Sequence, residues 1–222
     1  MSGLNTLSSN AHIFFLMGKS GAGKNEIIKR LLEDTSLGLS QILSAKTRPL
    51  RPGEKDGVDF HHLSPWAFLD AVAKNEFLEW VWEEELDKST GEKTGVTHYY
   101  GTRLWDMITA IQQWGLYIKE MEYKWYELAK DTPYRPFIHG IFIHVSTPHA
   151  LERIQRRAPL PEDQLLRRTK KMDNEDIWLQ ETRHPIHLID NDEQTDDLDR
   201  RELLFGNIIQ QIKTIILTVS TC

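Results

Sequence analysis

Residues 18–25, Gly-Lys-Ser-Gly-Ala-Gly-Lys-Asn, constrain this chain more than any other segment. They follow an apolar run at 13–17 and open a helical pattern at Ile27, Ile28, Leu31 and Leu32. Strand, glycine loop, lysine, helix is the setting in which G-x-x-x-x-G-K cradles a triphosphate. Gly18, Gly21 and Gly23 let backbone N–H groups converge on phosphate oxygens where a Cβ would intrude. Lys24 adds a point cation beside the transferring phosphoryl group, and the helix N-terminus adds partial positive charge. Gly18, Ser20, Gly21, Ala22, Gly23, Lys24 and Asn25 are therefore the expected phosphate-binding residues of a nucleoside triphosphate site.

At 222 residues the chain is long enough to bury a core, and its 40% hydrophobic content suits a globular protein. A net charge of −6 argues against a nucleic-acid surface. No apolar run approaches the roughly 20 residues of a membrane span, so no membrane association is expected. The polar start at 1–10 reads as a tail, without the basic opening of a leader. Cys222 is the only cysteine, which excludes an internal disulfide and favours a reducing, cytoplasmic setting. Positive charge clusters locally, at Arg48 and Arg51 and again at Arg153, Arg156, Arg157, Arg167 and Arg168. Such clusters in an acidic chain point to a small, focused anion, although the second also reads as a solvated helix face.

Apolar runs at 12–17, 39–44, 116–121, 137–145 and 186–190 predict strands. Helical patterns cover 24–34, 103–113, 148–157, 161–182 and 197–216, so the alternation predicts an α/β sandwich with a mostly parallel sheet. The isoleucine and leucine stripe of the last helix is expected to pack on that sheet. Residues 48–100 break the rhythm. Pro52-Gly53 and Asp56-Gly57 are turn signals, Ser64-Pro65 opens a helix, and 77–82 resumes a strand. The stretch from Glu83 to His98 reads as a long exposed loop.

Arg48 and Arg51, three apart on a Pro-Gly turn, can fork onto one phosphate. They belong to the run Thr47-Arg48-Pro49-Leu50-Arg51-Pro52-Gly53-Glu54-Lys55-Asp56-Gly57-Val58-Asp59-Phe60. With the phosphate loop, Phe77-Leu78-Glu79-Trp80, Tyr99-Tyr100-Gly101-Thr102 and the arginines of 153–168, this run makes the chain resemble guanylate kinases over roughly residues 12 to 217. The resemblance implies a P-loop kinase: a three-layer α/β sandwich, a small partly β GMP-binding lobe and an arginine-bearing helical lid. The core would cover about 11–47, 101–150 and 183–222, the lobe 48–100 and the lid 151–182. It further implies ATP as co-substrate, Mg²⁺, GMP or dGMP as acceptor, and no obligate protein partner. Arg48, Arg51 and Tyr100 would hold the acceptor phosphate, while Ser44, Glu79 and Thr102 would read guanine. Lys24, Arg153, Arg157 and Arg168, with Arg48, would surround the transferring group.

The chain also departs from the family pattern. Asn25 stands where Ser or Thr usually offers Mg²⁺ a hydroxyl, so its amide oxygen is the candidate metal ligand. Phe60 replaces a phosphate-binding tyrosine. Glu120 and Glu122 replace two aspartates, with Glu120 expected at the GMP site, and Trp125 replaces a glycine. Asp190-Asn191-Asp192 corresponds to an adenine-proximal pair. Two other readings stay open at this point: a related kinase acting on an acceptor such as ribose 1,5-bisphosphate, and an inactive guanylate-kinase-like binding module.

Overall fold

A computed structural model describes residues 10–87, 92–129, 131–157 and 159–221. Residues 1–9 of the expected 1–10 tail, Cys222 and the middle of the expected 83–98 loop lie outside the described residues. In chain order the strands are β1 (His12–Met17), β2 (Leu39–Gln41), β3 (Ala45–Lys46), β4 (His61–His62), β5 (Phe77–Leu86), β6 (Lys93–Arg103), β7 (Leu116–Glu120), β8 (Ile138–His144) and β9 (Ile186–Asp190). The helices are α1 (Lys24–Glu33), α2 (Pro65–Ala73), α3 (Leu104–Gln112), α4 (Tyr123–Ala129), α5 (Thr147–Arg157), α6 (Glu162–Glu181) and α7 (Leu198–Ser220). They form two compact units, one over 42–113 and one over 10–41 with 114–222.

The larger unit is a five-stranded parallel sheet in the order β2-β7-β1-β8-β9. β1 sits at its centre, and its residues 13–17 are all buried, as a strand covered on both faces requires. Phe14 and Leu16 join the main core cluster with Ile141 and Ile143 of β8. Phe15 turns to Tyr126 of α4, and Phe142 to Trp178 of α6. Helices thus cover both sheet faces, completing a three-layer α/β sandwich. By length and composition alone α7 could cross a membrane, contrary to the reading of the sequence. Its Ile208, Ile209, Ile212 and Ile216 are instead buried in the core cluster, where the stripe was expected to go.

The smaller unit holds a mixed sheet in the order β4-β3-β6-β5. Ser64 caps α2 through the Ala67 amide at 3.1 Å, with Pro65 in the first turn, as the Ser-Pro signal predicts. Phe68 of α2 stacks on Phe77 and Tyr99 of the sheet, with ring centroids 4.2 and 5.6 Å apart.

The 83–98 segment is not a loop. β5 and β6 pair antiparallel as far as Glu84–Thr97 and Leu86–Lys93, so most of it is a hairpin. An acidic run beside Gly and Thr resembles a loop in composition. The cross-strand Glu84–Lys93 ion pair and the β-branched Thr94, Val96 and Thr97 favour pairing instead. The expected strand at 39–44 is shorter than its apolar run. β2 covers only Leu39–Gln41 in the parallel sheet, and β3 of the smaller sheet starts beyond it, at Ala45. α4 carried no clear periodic signal, being only seven residues long.

Candidate functional site

In the larger unit the phosphate loop leaves the C-terminal end of the central strand, where open α/β sheets bind ligands. Gly18 has φ +136°, and a Cβ there would stand 2.4 Å from the Ile143 carbonyl oxygen. Gly21, at φ +90°, would bring a Cβ within 2.7 Å of the Ala150 oxygen. These close approaches make glycine obligatory at both places. α1 starts at Lys24 after a left-handed Gly23 and has no side-chain cap. Its first amides thus have no capping side chain, the arrangement found at helix N-termini that bind anions.

Lys24 Nζ donates to the Gly18 carbonyl at 2.6 Å and the Lys19 carbonyl at 3.1 Å. Glu120, at the end of β7, lies 3.4 Å from the same ammonium. Arg153 of α5 is spent on backbone carbonyls, with Nη2 2.7 Å from Asn191 O and Nη1 3.4 Å from Gly21 O. Burial lowers its pKa, partly offset by Asp192 and Glu152. Asn191 donates in turn to the Ala22 carbonyl at 2.9 Å. Arg157 is exposed at the end of α5, and Arg168 of α6 reaches Ser20 Oγ at 3.3 Å. A cavity of about 360 Å³ opens beside the loop, lined by Gly21, Gly23, Arg153, Arg157, Asn191 and Phe205 among others.

The smaller unit assembles a second constellation. Arg48 is buried and gives a bidentate pair to Glu54, at 2.6 and 2.7 Å, plus a bond to the Pro49 carbonyl at 2.9 Å. The pairing raises the Arg48 pKa and holds the Glu54 carboxyl down at about 2. Glu54 also accepts the Arg51 amide at 2.7 Å, which closes the turn. Tyr100 lies within the field of both arginines, though burial is what mainly raises its pKa. Phe60 is wholly buried, with Arg48 and Lys46 over its ring at 4.9 and 4.8 Å. A cation–π platform thus stands where Phe60 replaces the tyrosine of the family pattern.

Thr102 is fully buried and donates its hydroxyl to Glu79 Oε1 at 2.5 Å, across a β5–β6 pair. The register slips between Phe77 and Glu79. A Cβ on Gly101 would meet the Glu79 carbonyl at 2.6 Å, so glycine permits the bulge that aims Glu79.

The guanylate kinase family profile matches residues 10–205. This chain belongs to the guanylate kinase family. It is 29% identical to a guanylate kinase of the Aster yellows witches'-broom phytoplasma over 172 residues, 76% of this chain and 74% of that one. A guanylate kinase of Zymomonas mobilis subsp. mobilis is 45% identical over 76 residues, about a third of either chain (34% each). Among solved structures, a guanylate kinase from Anaplasma phagocytophilum shares the fold with a TM-score of 0.64 at 18% identity, covering 96% of this chain and 88% of that one. Low identity along most of the chain makes this a divergent member of the family.

Of the guanylate kinase residues expected from sequence, the larger unit gathers the phosphate loop, Glu120, Arg153, Arg157 and Arg168. Ser44, Arg48, Arg51, Glu79, Tyr100 and Thr102 fall in the smaller unit. Glu120, expected with the acceptor residues, lies 3.4 Å from the Lys24 ammonium. Sequence reasoning passed over Glu54, which orients Arg48, and Lys19, a fully buried lysine inside the phosphate loop. The only signal for Glu54 was its place in the arginine-turn run. Nothing in the pattern marked Lys19, which occupies a variable position of the motif.

Proposed function

We propose that this chain transfers a phosphoryl group from MgATP to GMP or dGMP, yielding ADP and GDP or dGDP. One observation carries the acceptor assignment: a carboxylate, Glu79, held by the buried Thr102 hydroxyl. Guanine offers N1–H and N2–H donors on adjacent atoms, which one carboxylate can accept together. Adenine presents a lone pair where guanine has N1–H, so the same carboxylate is left unsatisfied. Sites built on such pairing discriminate by about 10⁴. Arg48, Arg51 and Tyr100 in the same unit supply the charge and hydroxyl that a nucleotide phosphate needs.

ATP is assigned to the phosphate loop, with its base toward the cavity beside Asn191 and Phe205. Phosphoryl transfer asks the protein mainly for in-line placement and positive charge around the equatorial oxygens. Lys24, Arg157 and Arg168 provide that charge, while Arg153 braces the loop from behind. Among the described residues no three His, Cys, Asp or Glu side chains gather as a metal cage. That suits Mg²⁺ arriving with the nucleotide, held largely by phosphates and water. The Asn25 amide oxygen, exposed on the first turn of α1, and the Glu120 carboxylate are protein donors of the right kind. When bound, Mg²⁺ would neutralise charge on the β- and γ-phosphates. A cytoplasmic place in purine nucleotide metabolism fits this activity.

The test is ADP release with MgATP against GMP, dGMP, AMP, CMP, UMP and ribose 1,5-bisphosphate, with Lys24→Ala alongside. Lysine-dependent turnover confined to GMP and dGMP is expected. Turnover on another acceptor would overturn the guanine assignment.

A further inference from the structure

Lys19 is wholly buried, an unusual place for a lysine, and the phosphate-site chemistry above does not use it. Its ammonium has three donors, and all three are engaged. They reach the Val145 carbonyl at 3.0 Å, Thr147 Oγ1 at 3.1 Å and the Asp176 carboxylate at 2.6 Å. One side chain thus joins the phosphate loop to the segment after β8, the first residue of α5 and the C-terminal half of α6. The Lys19 carbonyl, on the other side of the same residue, accepts the Ala22 amide at 3.1 Å and Lys24 Nζ at 3.1 Å. Asp176, Lys19 and Lys24 therefore form one mechanical chain from helix to phosphate-binding ammonium.

α6 meets the loop twice. Arg168 touches Ser20 in an exposed contact, and Asp176 holds Lys19, about 12 Å further along the helix axis. The first contact is a long bond that a phosphate oxygen can replace. The second is short, inaccessible on the lysine side and saturated. Glu175, buried beside Asp176, faces the charges of Lys24, Lys171 and Lys19, with Glu122 opposing. An apolar residue at position 19 could fill the same space without the desolvation cost of an ion.

We propose that Lys19 is a positioning residue. Paired with Asp176, it is the fixed anchor of α6 on the phosphate loop, setting both the Lys24 ammonium and the reach of Arg168 toward the triphosphate. The inference rests on the triphosphate assignment of the loop. Neither residue touches substrate; each acts through Lys24 and Arg168.

The variants Lys19→Met, close in volume, and Asp176→Asn, which keeps shape and removes charge, test this in steady-state assays with ATP and GMP varied separately. Both are expected to lower kcat by about 10–100-fold and raise the KM for ATP, because small misplacements of a phosphate-binding group cost that much. The KM for GMP should stay unchanged. A purely structural defect would lower the folded fraction and leave both KM values alone. If Lys19→Met fails to fold by circular dichroism, Asp176→Asn decides. Wild-type turnover of GMP with folded variants that keep kcat and the KM for ATP within about two-fold overturns the anchor. Absence of wild-type turnover would overturn the function instead.

Discussion

Glu54 grips Arg48 by both terminal guanidinium nitrogens, at 2.6 and 2.7 Å, and takes the Arg51 amide with the same carboxylate. A guanidinium carries five N–H donors in a rigid fork. Glu54 uses one edge and the Pro49 carbonyl takes a further N–H, which leaves the Nε edge for an acceptor phosphate. Glu54→Gln should therefore loosen the fork rather than free it. The expected result is a rise in the KM for GMP of about ten-fold, equivalent to about 1.4 kcal/mol, with little change in kcat. A lower KM would mean that Glu54 competes with the phosphate.

Thr102→Val removes a buried hydroxyl with almost no change of shape. Glu79 then loses the short Thr102 hydrogen bond to its carboxylate. Hydrogen bonds to charged groups are worth about 1.5–3 kcal/mol, so kcat/KM for GMP should fall by about ten-fold or more. Discrimination against AMP should narrow, because an unfixed carboxylate can turn away from adenine's lone pair. Parallel kcat/KM measurements on GMP and AMP check this, and an unchanged ratio would separate Thr102 from base recognition.

A pH dependence of stability follows from the far end of the parallel sheet. His139 lies beside His12, with the rings tilted by 35° and their nearest nitrogens 3.0 Å apart. Burial, then the charges of His12, Arg135 and His187, lowers its pKa from 6.5 to about 4. The unfolded chain therefore binds a proton between those two values that the folded chain refuses, and stability rises with pH across that window. Melting temperature should drop as pH falls from 6.5 toward 4, with the His139 contribution levelling off below. His139→Asn should flatten the slope in that window, and an equally steep slope in the variant would rule out His139 as its source.

Much of this was readable in the residues themselves. β1 and β9 lie where their apolar runs placed them, and α1 begins at the lysine that closes the glycine loop. Such features depend on local pattern and on backbone geometry that only glycine supplies. The hairpin beyond Glu83 was not readable, because its stability comes from cross-strand partners such as Glu84 and Lys93 rather than from hydrophobic alternation. Phe60 appeared from sequence as a lost hydrogen bond. Its burial beneath Arg48 and Lys46 turns it into a support, a relation that only the folded chain displays. Lys19 was silent for the same reason: its partners lie 126 to 157 residues away in the chain.

Asn25 offers the last prediction. It is the exposed second residue of α1, next to Lys24, where relatives by the resemblance carry a hydroxyl. Mg²⁺ favours compact, near-octahedral oxygen ligation, and an amide oxygen on a longer side chain meets that geometry less closely than a hydroxyl on Cβ. Asn25→Thr should therefore lower the Mg²⁺ concentration needed for half-maximal turnover and raise kcat at limiting metal. The KM for GMP should not move, since no acceptor residue is touched. Titrating Mg²⁺ at saturating ATP and GMP, for wild type and variant, measures it directly. An unchanged Mg²⁺ requirement would mean that residue 25 does not reach the ion and that phosphates, water and Glu120 hold it alone.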